Sequence, residues 1–211
     1  APVRGAYADE RDIYIVEGRK FRRVCATDDL AVTGVHNLEN FLAACAAAHF
    51  MGAETGAMAR LARRFKGLPH RMEVVGRIGG VTWVNDSKGT NVGATAMSLM
   101  SAEGGVWLIA GGTDKGTDLA PMLGPARDRV RGMFLIGEAA DRFARFFEGE
   151  VAVERTGTLG EAVRRAANLA REGETVLLSP ACSSFDQFRN FEHRGDIFRE
   201  MVQELSKGAA S

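Results

Sequence analysis

Apolar residues recur first at strand spacing and then at helix spacing in the N-terminal third of the chain. Two short runs rich in β-branched and aromatic residues, 12–16 and 20–24, flank a turn at 17–19 and predict a β-hairpin. An alanine-rich stretch follows and predicts a helix that ends near Phe50, before Gly52. Because a hairpin with so few helices closes no core of its own, we interpret this part as the end of a larger domain.

A second helix is predicted over about residues 54–66. Its apolar residues Ala57, Leu61 and Phe65 recur every fourth position, which predicts that this face packs inward. The glycine and proline that follow end the helix. Few contacts are expected to cross such a linker, so residues 67–71 are expected to form a hinge between two domains.

From about Arg71 onward, short continuous apolar runs alternate with helical sequence. We predict strands at 81–84, 106–110, 133–136, 151–153 and 175–178. Helices are predicted at 91–100, 159–170 and 194–205. Two more are predicted, one that begins near residue 119 and one that ends at residue 147. Apolar strands separated by helices are typical of a mostly parallel sheet covered on both faces. The predicted fold class is therefore α/β, with a Rossmann-like domain at 71–211.

The composition argues against several classes of partner. Net charge is zero, from 27 basic and 27 acidic residues, so no broad field favours nucleic acid or an anionic membrane. No apolar run reaches the ~18–20 residues that a membrane-spanning helix needs. Cys25, Cys45 and Cys182 are odd in number and far apart, which favours free thiols in a reducing compartment over disulfides or a zinc site.

Three polar loops follow predicted strands directly, at 85–90, 111–116 and 179–186. The carboxyl ends of parallel strands meet at one edge of a sheet, and ligands bind there. Two lysines and two hydroxyl side chains are thereby expected to converge and to suit an anionic small molecule. They are Lys88, Thr90, Lys115 and Ser184. The alternative is that these loops are ordinary surface turns with solvated lysines.

Four ordered segments, 68–73, 85–91, 111–115 and 179–188, resemble motifs of the Mur ligase family, in particular of the branch that adds D-glutamate. Residues 34–40 resemble the helix entry that contacts the nucleotide in that family, and the resemblance extends from about residue 30 to 205. It implies a cytoplasmic, ATP-dependent ligase of peptidoglycan synthesis. Such an enzyme joins D-glutamate to UDP-N-acetylmuramoyl-L-alanine through an acyl phosphate.

The resemblance also implies a domain organisation. Residues 1–70 would be the C-terminal part of a central ATP-binding domain, and residues 71–211 the whole C-terminal, amino-acid-binding domain. No G-x-x-x-x-G-K-[ST] phosphate loop occurs in the 211 residues. We therefore expect this chain to be a portion of the enzyme that is inactive alone. The missing domains would supply the phosphate loop and the ligands of Mg²⁺, with no metal ligands in this chain. A monomer acting on small molecules, without nucleic acid or membrane partners, is expected.

Residue roles are carried over from the matching motif positions. The nucleotide would be contacted by Asn37, Asn40, Arg71, Asp86 and Lys88, with Asp86 at its ribose. Lys88 would also be catalytic, because a fixed cation stabilises charge on a transferring phosphoryl group. D-glutamate would be held by Thr90, Lys115, Ser184, the backbone of Phe185, and Phe191. A lysine that faces a carboxylate makes a charge-assisted contact.

Structural interpretations compete with several of these roles. The two asparagines suit helix capping or surface polarity, Arg71 suits a surface ion pair, and Phe191 suits a core. Cys182 is expected to be a buried thiol and not a nucleophile. His70 is expected to be structural, and Phe143, Phe146 and Phe147, at helical spacing, are expected in the core.

Two other functions remain open. A Rossmann-like module without catalysis could bind an acidic amino acid or a nucleotide, and the absence of a phosphate loop favours that interpretation for the chain alone. A folylpolyglutamate synthetase also adds glutamate, but the segment Ser179-Pro180-Ala181-Cys182 argues against it.

Overall fold

The computed structural model describes residues 4–32 and 34–209, without the side chains of Val35, His36 and Ala209. The chain divides into two compact units, Ala1–Gly67 and Leu68–Ser211, which we call the first and second units. The sequence pattern places the boundary at residue 70, and the observed division falls slightly earlier.

The first unit contains a three-stranded antiparallel sheet in the order β1-β2-β3. Its strands are β1 (Arg4–Ala8), β2 (Asp12–Glu17) and β3 (Lys20–Ala26). The predicted hairpin corresponds to β2 and β3. Strand β1 was not predicted, because its small residues alternate without a marked apolar face.

Two helices, α1 (Val35–Phe50) and α2 (Thr55–Arg64), complete the first unit. The predicted inward face of the second helix is wrong: Leu61 is 52% exposed, and Phe65 lies beyond the helix end. The helix instead buries Met58, Ala59 and Ala62. Two of these three residues are alanines, whose small side chains suit close packing of the helix on strand β3.

The second unit is built on a six-stranded sheet in the order β4-β5-β9-β6-β7-β8. Its strands are β4 (Glu73–Ile78), β5 (Val81–Asn85), β6 (Val106–Gly111), β7 (Val130–Ile136), β8 (Val153–Gly157) and β9 (Thr175–Leu178). Strand β4 pairs antiparallel with β5, and the other pairings are parallel. The predicted α/β class with a mostly parallel sheet is confirmed. The strand predicted at 151–153 begins at Val153, where its pairing with β7 starts.

Helices cover both faces of this sheet. They are α3 (Val92–Ser101), α4 (Ala120–Arg129), α5 (Ala140–Phe147), α6 (Leu159–Leu169) and α7 (Phe191–Ala209). One apolar core joins α3, α4 and α5 to the sheet, and a second joins α6 and α7 to the opposite face. Phe143 and Phe147 are buried as predicted, whereas Phe146 is partly exposed and packs edge-on against Phe147. Among the described residues, no helix has the length and apolar character to cross a membrane.

Candidate functional site

Three polar loops meet at the carboxyl-end edge of the second unit's sheet. They follow strands β5, β6 and β9, and β9 lies between the other two in the sheet. We name them the β5 loop (residues 86–91), the β6 loop (112–119) and the β9 loop (179–190). Side by side at this edge, they form the place where open parallel sheets bind ligands.

Hydrogen bonds tie the three loops together. Ala181 donates its backbone N–H to the carbonyl of Gly89 at 2.8 Å, which joins the β9 loop to the β5 loop. Thr113 donates to the carbonyl of Ser183 at 2.9 Å, which joins the β6 and β9 loops. The Lys115 ammonium donates to the carbonyl of Thr90 at 3.1 Å. Lys115 and Thr90, both predicted to bind D-glutamate, are therefore in direct contact.

Asp86 is the polar centre beneath these loops. It is only 4% exposed, and its Oδ2 accepts hydrogen bonds from the hydroxyls of Ser98 and Ser179, both at 2.7 Å. Its Oδ1 accepts from the backbone N–H of Met72 at 3.3 Å. Burial raises the pKa of the Asp86 carboxyl above its usual value of 3.8, while the two serine hydroxyls act to lower it. Asp86 thus links β5, α3 and the β9 loop, and its predicted contact with a ribose stays a prediction.

Asn85 and His70 form a second buried contact. The Asn85 side-chain amide donates to the carbonyl of Gly195 at 3.0 Å and lies 3.1 Å from His70 Nδ1. With the amide oriented this way, His70 Nδ1 accepts and its proton resides on Nε2. A Cβ at position 195 would overlap the His70 ring. His70 is therefore packed directly against the backbone of α7.

The backbone around Arg71 is conformationally unusual. His70 and Met72 have φ values of 61° and 46°, in the left-handed region that costs non-glycine residues about 1–3 kcal/mol each. His70 is held there from both sides, because its N–H donates to Glu73 at 2.9 Å and its carbonyl accepts from Lys88 N–H at 3.0 Å. Arg71 is exposed between these two fixed residues. Its main-chain direction is thereby set, and its predicted nucleotide contact remains a prediction.

Lys88 projects from the β5 loop onto an aromatic ring. Its ammonium lies 4.0 Å from the centroid of the Phe191 ring, in cation–π contact. Phe191 is half-buried and also meets the His70 ring edge-to-face, with 6.2 Å between centroids. Two of the predicted site residues, Lys88 and Phe191, are therefore brought together.

Ser184 and Phe185 are neighbours in the β9 loop with opposite exposure. Ser184 is buried, and its carbonyl accepts hydrogen bonds from the N–H groups of Gln187 and Phe188 at 3.2 and 2.8 Å. Phe185 is 71% exposed, so its side chain is directed away from the core. Ala181 precedes them in the left-handed region, with φ 58°. The loop backbone is thus tightly folded around the residues predicted to hold D-glutamate.

Arg194 is a buried residue beneath the candidate site that the sequence did not indicate. It is 1% exposed and donates to the hydroxyl and the carbonyl of Ser87, both at 2.9 Å, and to the carbonyl of Cys182 at 3.3 Å. No ion pair among the described residues includes it. Burial lowers the pKa of the Arg194 guanidinium to about 10. In the sequence it stands only at the predicted start of a helix, with no local motif to mark it.

Cys182 is a buried free thiol, as expected. Burial raises the pKa of Cys182 to about 11, so the thiolate that a nucleophile requires is scarce near neutral pH. Across residues 4–32 and 34–209, no group of three or more histidine, cysteine or acidic side chains could hold a metal ion.

Asn37 and Asn40 lie in helix α1 of the first unit, one helical turn apart. Asn37 is partly buried and Asn40 is exposed. They belong to a different unit from the three loops, and their predicted contacts with a nucleotide remain predictions.

Known proteins resemble this chain over most of its length. The family model described as the Mur ligase, glutamate ligase domain matches residues 70–182. A relative from Myxococcus xanthus (strain DK1622) is 49% identical over 175 residues, covering 83% of this chain and 38% of the relative. One from Geotalea uraniireducens (strain Rf4) is 43% identical over 203 residues, covering 96% of this chain and 44% of the relative. Both are named UDP-N-acetylmuramoylalanine–D-glutamate ligase, and the chain spans about two fifths of their length.

Solved structures share the fold at low sequence identity. The Escherichia coli FolC in complex with DHPP and ADP matches with a TM-score of 0.66 and 16% identity, over 94% of this chain and 46% of that one. The MurF ligase from Thermotoga maritima in complex with ADP matches with a TM-score of 0.58 and 12% identity, over 94% and 46%. These likenesses establish the fold alone. With the family model covering more than half of its residues, the chain belongs to the Mur ligase family, through the glutamate ligase domain.

Proposed function

We propose that this chain is the part of an ATP-dependent ligase that binds D-glutamate and joins it to UDP-N-acetylmuramoyl-L-alanine, in the cytoplasm, during peptidoglycan synthesis. One observation carries the proposal: two lysines, Lys88 and Lys115, stand on the two loops that flank the β9 loop at one sheet edge, and both are held by contacts within the unit. The names of the relatives that are 43–49% identical support the same substrate.

Lys115 and Thr90 form the anion-binding part of the proposed D-glutamate site. The Lys115 ammonium uses one of its three donors on the Thr90 carbonyl, which leaves donors for a carboxylate. A charge-assisted bond from a positioned lysine is about twice as strong as a neutral one. Ser184, the Phe185 backbone and Phe191 complete the proposed site on the β9 loop and the start of α7.

Lys88 is proposed to act on the phosphoryl group. The reaction requires the L-alanine carboxylate to attack the γ-phosphorus of ATP, which gives an acyl phosphate and ADP. The amine of D-glutamate then attacks the acyl carbon, loses a proton and expels phosphate. A fixed cation stabilises the negative charge on the phosphoryl oxygens in both steps. The Phe191 ring, by holding the Lys88 ammonium, limits the reorganisation that this stabilisation requires.

Arg71, Asp86, Asn37 and Asn40 are proposed to contact the nucleotide. For Asp86 the support is indirect, because its carboxylate is buried and bonded within the unit. It fixes the loop that carries Lys88 and thereby contributes even where it does not meet the ribose itself. The phosphate loop and the Mg²⁺ ligands are proposed to lie in the remainder of the longer protein, where Mg²⁺ would neutralise phosphate charge.

The test uses the full-length protein that contains this chain. Phosphate release is measured with ATP, Mg²⁺ and UDP-N-acetylmuramoyl-L-alanine, with D-glutamate or L-glutamate added. The proposal predicts release that depends on the D isomer. Release that is equal with both isomers, or that occurs only with a folate acceptor and L-glutamate, would contradict it.

A second candidate is a binding module without chemistry of its own. The observation that favours it is the absence of a phosphate loop from all 211 residues. The 211-residue chain alone should then release no phosphate with the same reactants, while D-glutamate raises its Tm more than L-glutamate does. If the full-length protein is equally inactive and the chain still binds the D isomer, this second candidate replaces the first.

A further inference from the structure

The β6 loop is held at two points, and Lys115 lies between them. The first point is Thr113, whose N–H donates to Ser183 in the β9 loop at 2.9 Å. The Thr113 hydroxyl also accepts the N–H of Asp186 at 3.1 Å. These bonds fix the loop where it leaves β6, two residues before Lys115.

The second point is Arg142, on helix α5. Its Nε lies 2.9 and 2.8 Å from the two carboxylate oxygens of Asp114, and its Nη2 lies 2.7 Å from Oδ1. Its Nη1 donates to the carbonyl of Thr117 at 2.9 Å. One guanidinium therefore grips the residue before Lys115 and a carbonyl two residues after it.

The contact with Arg142 favours the ionised form of Asp114. The Arg142 guanidinium, aided by the N–H of Gly116, holds the pKa of the Asp114 carboxyl below its usual range. The Gly116 N–H bond, at 2.9 Å, closes a tight turn directly around Lys115. The carboxylate thus stays charged and bonded on two sides at neutral pH.

We propose that Arg142 is a positioning residue for Lys115, and so a determinant of D-glutamate affinity. This inference rests on the proposed function, in which Lys115 binds D-glutamate. An exposed ion pair contributes little to stability. A planar guanidinium that donates several hydrogen bonds to one turn, however, fixes the orientation of that turn. Loss of Arg142 therefore frees Lys115 to leave the glutamate carboxylate without unfolding the domain.

The experiment measures steady-state kinetics in the full-length protein for Arg142→Met and Arg142→Lys. The matched control is Arg127→Met, because Arg127 on α4 makes a similar two-point pair with Glu150 at 2.5 and 2.8 Å and touches none of the three loops. We expect Arg142→Met to raise KM for D-glutamate about fivefold to tenfold, as contacts in one network allow. KM for ATP, kcat and Tm should change no more than they do in Arg127→Met. Arg142→Lys should restore part of the affinity for D-glutamate.

A double-mutant cycle with Asp114→Asn isolates the contact. If Arg142 acts through Asp114, the double variant should raise KM for D-glutamate little more than either single variant does. Additive effects would overturn the inference, as would an Arg142→Met variant whose KM for D-glutamate equals that of the control. A large fall in Tm with parallel losses in all kinetic constants would assign Arg142 a purely structural role and overturn it as well.

The outcomes separate this inference from the function it rests on. If the wild-type protein shows no D-glutamate-dependent phosphate release, the proposed function fails and takes the inference with it. If the wild type is active and Arg142→Met behaves as the control does, only the inference fails.

Discussion

At the scale of single residues, the site is built from polar groups that satisfy one another before any ligand arrives. Asp86, Asn85 and Arg194 are each buried and bonded within the second unit. The residues proposed to meet substrate, Lys88 and Lys115, are exposed but held at one point each. The buried groups therefore supply the geometry, and the exposed lysines supply the charge.

Arg194 is expected to be the most costly of these residues to remove. Its replacement by methionine leaves buried carbonyls of Ser87 and Cys182 without donors. Each unsatisfied buried acceptor costs about 1–3 kcal/mol, so we predict a loss of about 2–4 kcal/mol in the free energy of unfolding. Urea unfolding of the 211-residue chain measures this loss. A change below about 0.5 kcal/mol, the range typical of surface substitutions, would show that the hydrogen bonds of Arg194 do not stabilise the fold.

Phe191 is expected to act partly through Lys88. A cation–π contact contributes about 0.5–1 kcal/mol at an exposed site, which corresponds to roughly twofold to fivefold in rate. Phe191→Leu removes the contact and Phe191→Tyr keeps it, so we predict that kcat falls by this factor in the first and stays near wild type in the second. Steady-state kinetics of the full-length protein provide the measurement. Equal behaviour of the two variants would show that the ring serves only to fill space.

Asp86 should give the second unit a pH-dependent stability of recognisable sign. Its pKa is raised above 3.8 in the folded state, so the folded chain binds the proton more tightly than the unfolded chain does. The stabilisation is complete below the unfolded pKa and is lost as pH rises through the raised folded value. Unfolding of wild type and Asp86→Asn, measured from acid to neutral pH, should show wild type losing stability relative to the variant. A constant or opposite difference would exclude the raised pKa.

At the scale of elements, the strand order brings the loops together, and helix α7 hydrogen-bonds to the β5 and β9 loops through Arg194. Glycine at position 195 lets α7 approach the His70 ring, and His70 in turn accepts the N–H of Lys88. These contacts hold His70 within the second unit. Of the hinge predicted at residues 67–71, only residues 67–69 precede this fixed residue.

Two glycines of α7 offer a matched comparison. An added methyl at Gly195 would overlap His70, whereas at Gly208 it meets no atom within 4 Å. We predict that Gly195→Ala destabilises the chain by about 1–3 kcal/mol through overpacking, and that Gly208→Ala is neutral or slightly stabilising because alanine favours helix. Thermal unfolding compares the two. Similar effects from both substitutions would argue against tight packing of His70 on α7.

The sequence predicted elements better than contacts. Strands β5, β6, β7 and β9 followed from continuous apolar runs, and the convergence of three loops followed from the parallel sheet they imply. Strand β4 was missed, because an edge strand with Glu73, Gly76 and Arg77 shows no clear apolar pattern. The hydrogen bonds of Arg194 could not be predicted either, because its partner Ser87 lies 107 residues away in the chain and only the tertiary fold brings the two together.

At the scale of the whole molecule, the chain covers 38–44% of the length of the Myxococcus xanthus and Geotalea uraniireducens relatives. The second unit carries the loops that we propose to bind D-glutamate, and the asparagines that we propose to contact the nucleotide lie in the first unit. A solved FolC structure shares the fold at 16% identity, so the fold alone does not identify a substrate. Our proposal of D-glutamate rests on the loops and on the relatives that are 43–49% identical.

D-glutamate binding by Lys115 is tested most directly by the D-glutamate dependence of phosphate release in the full-length protein, compared between wild type and Lys115→Met. Arg127→Met serves as a folded control. We predict turnover that requires the D isomer. In Lys115→Met we predict a KM for D-glutamate raised about tenfold to a hundredfold with KM for ATP unchanged, as loss of a charged hydrogen bond implies. A Lys115→Met variant with wild-type KM for D-glutamate would contradict it.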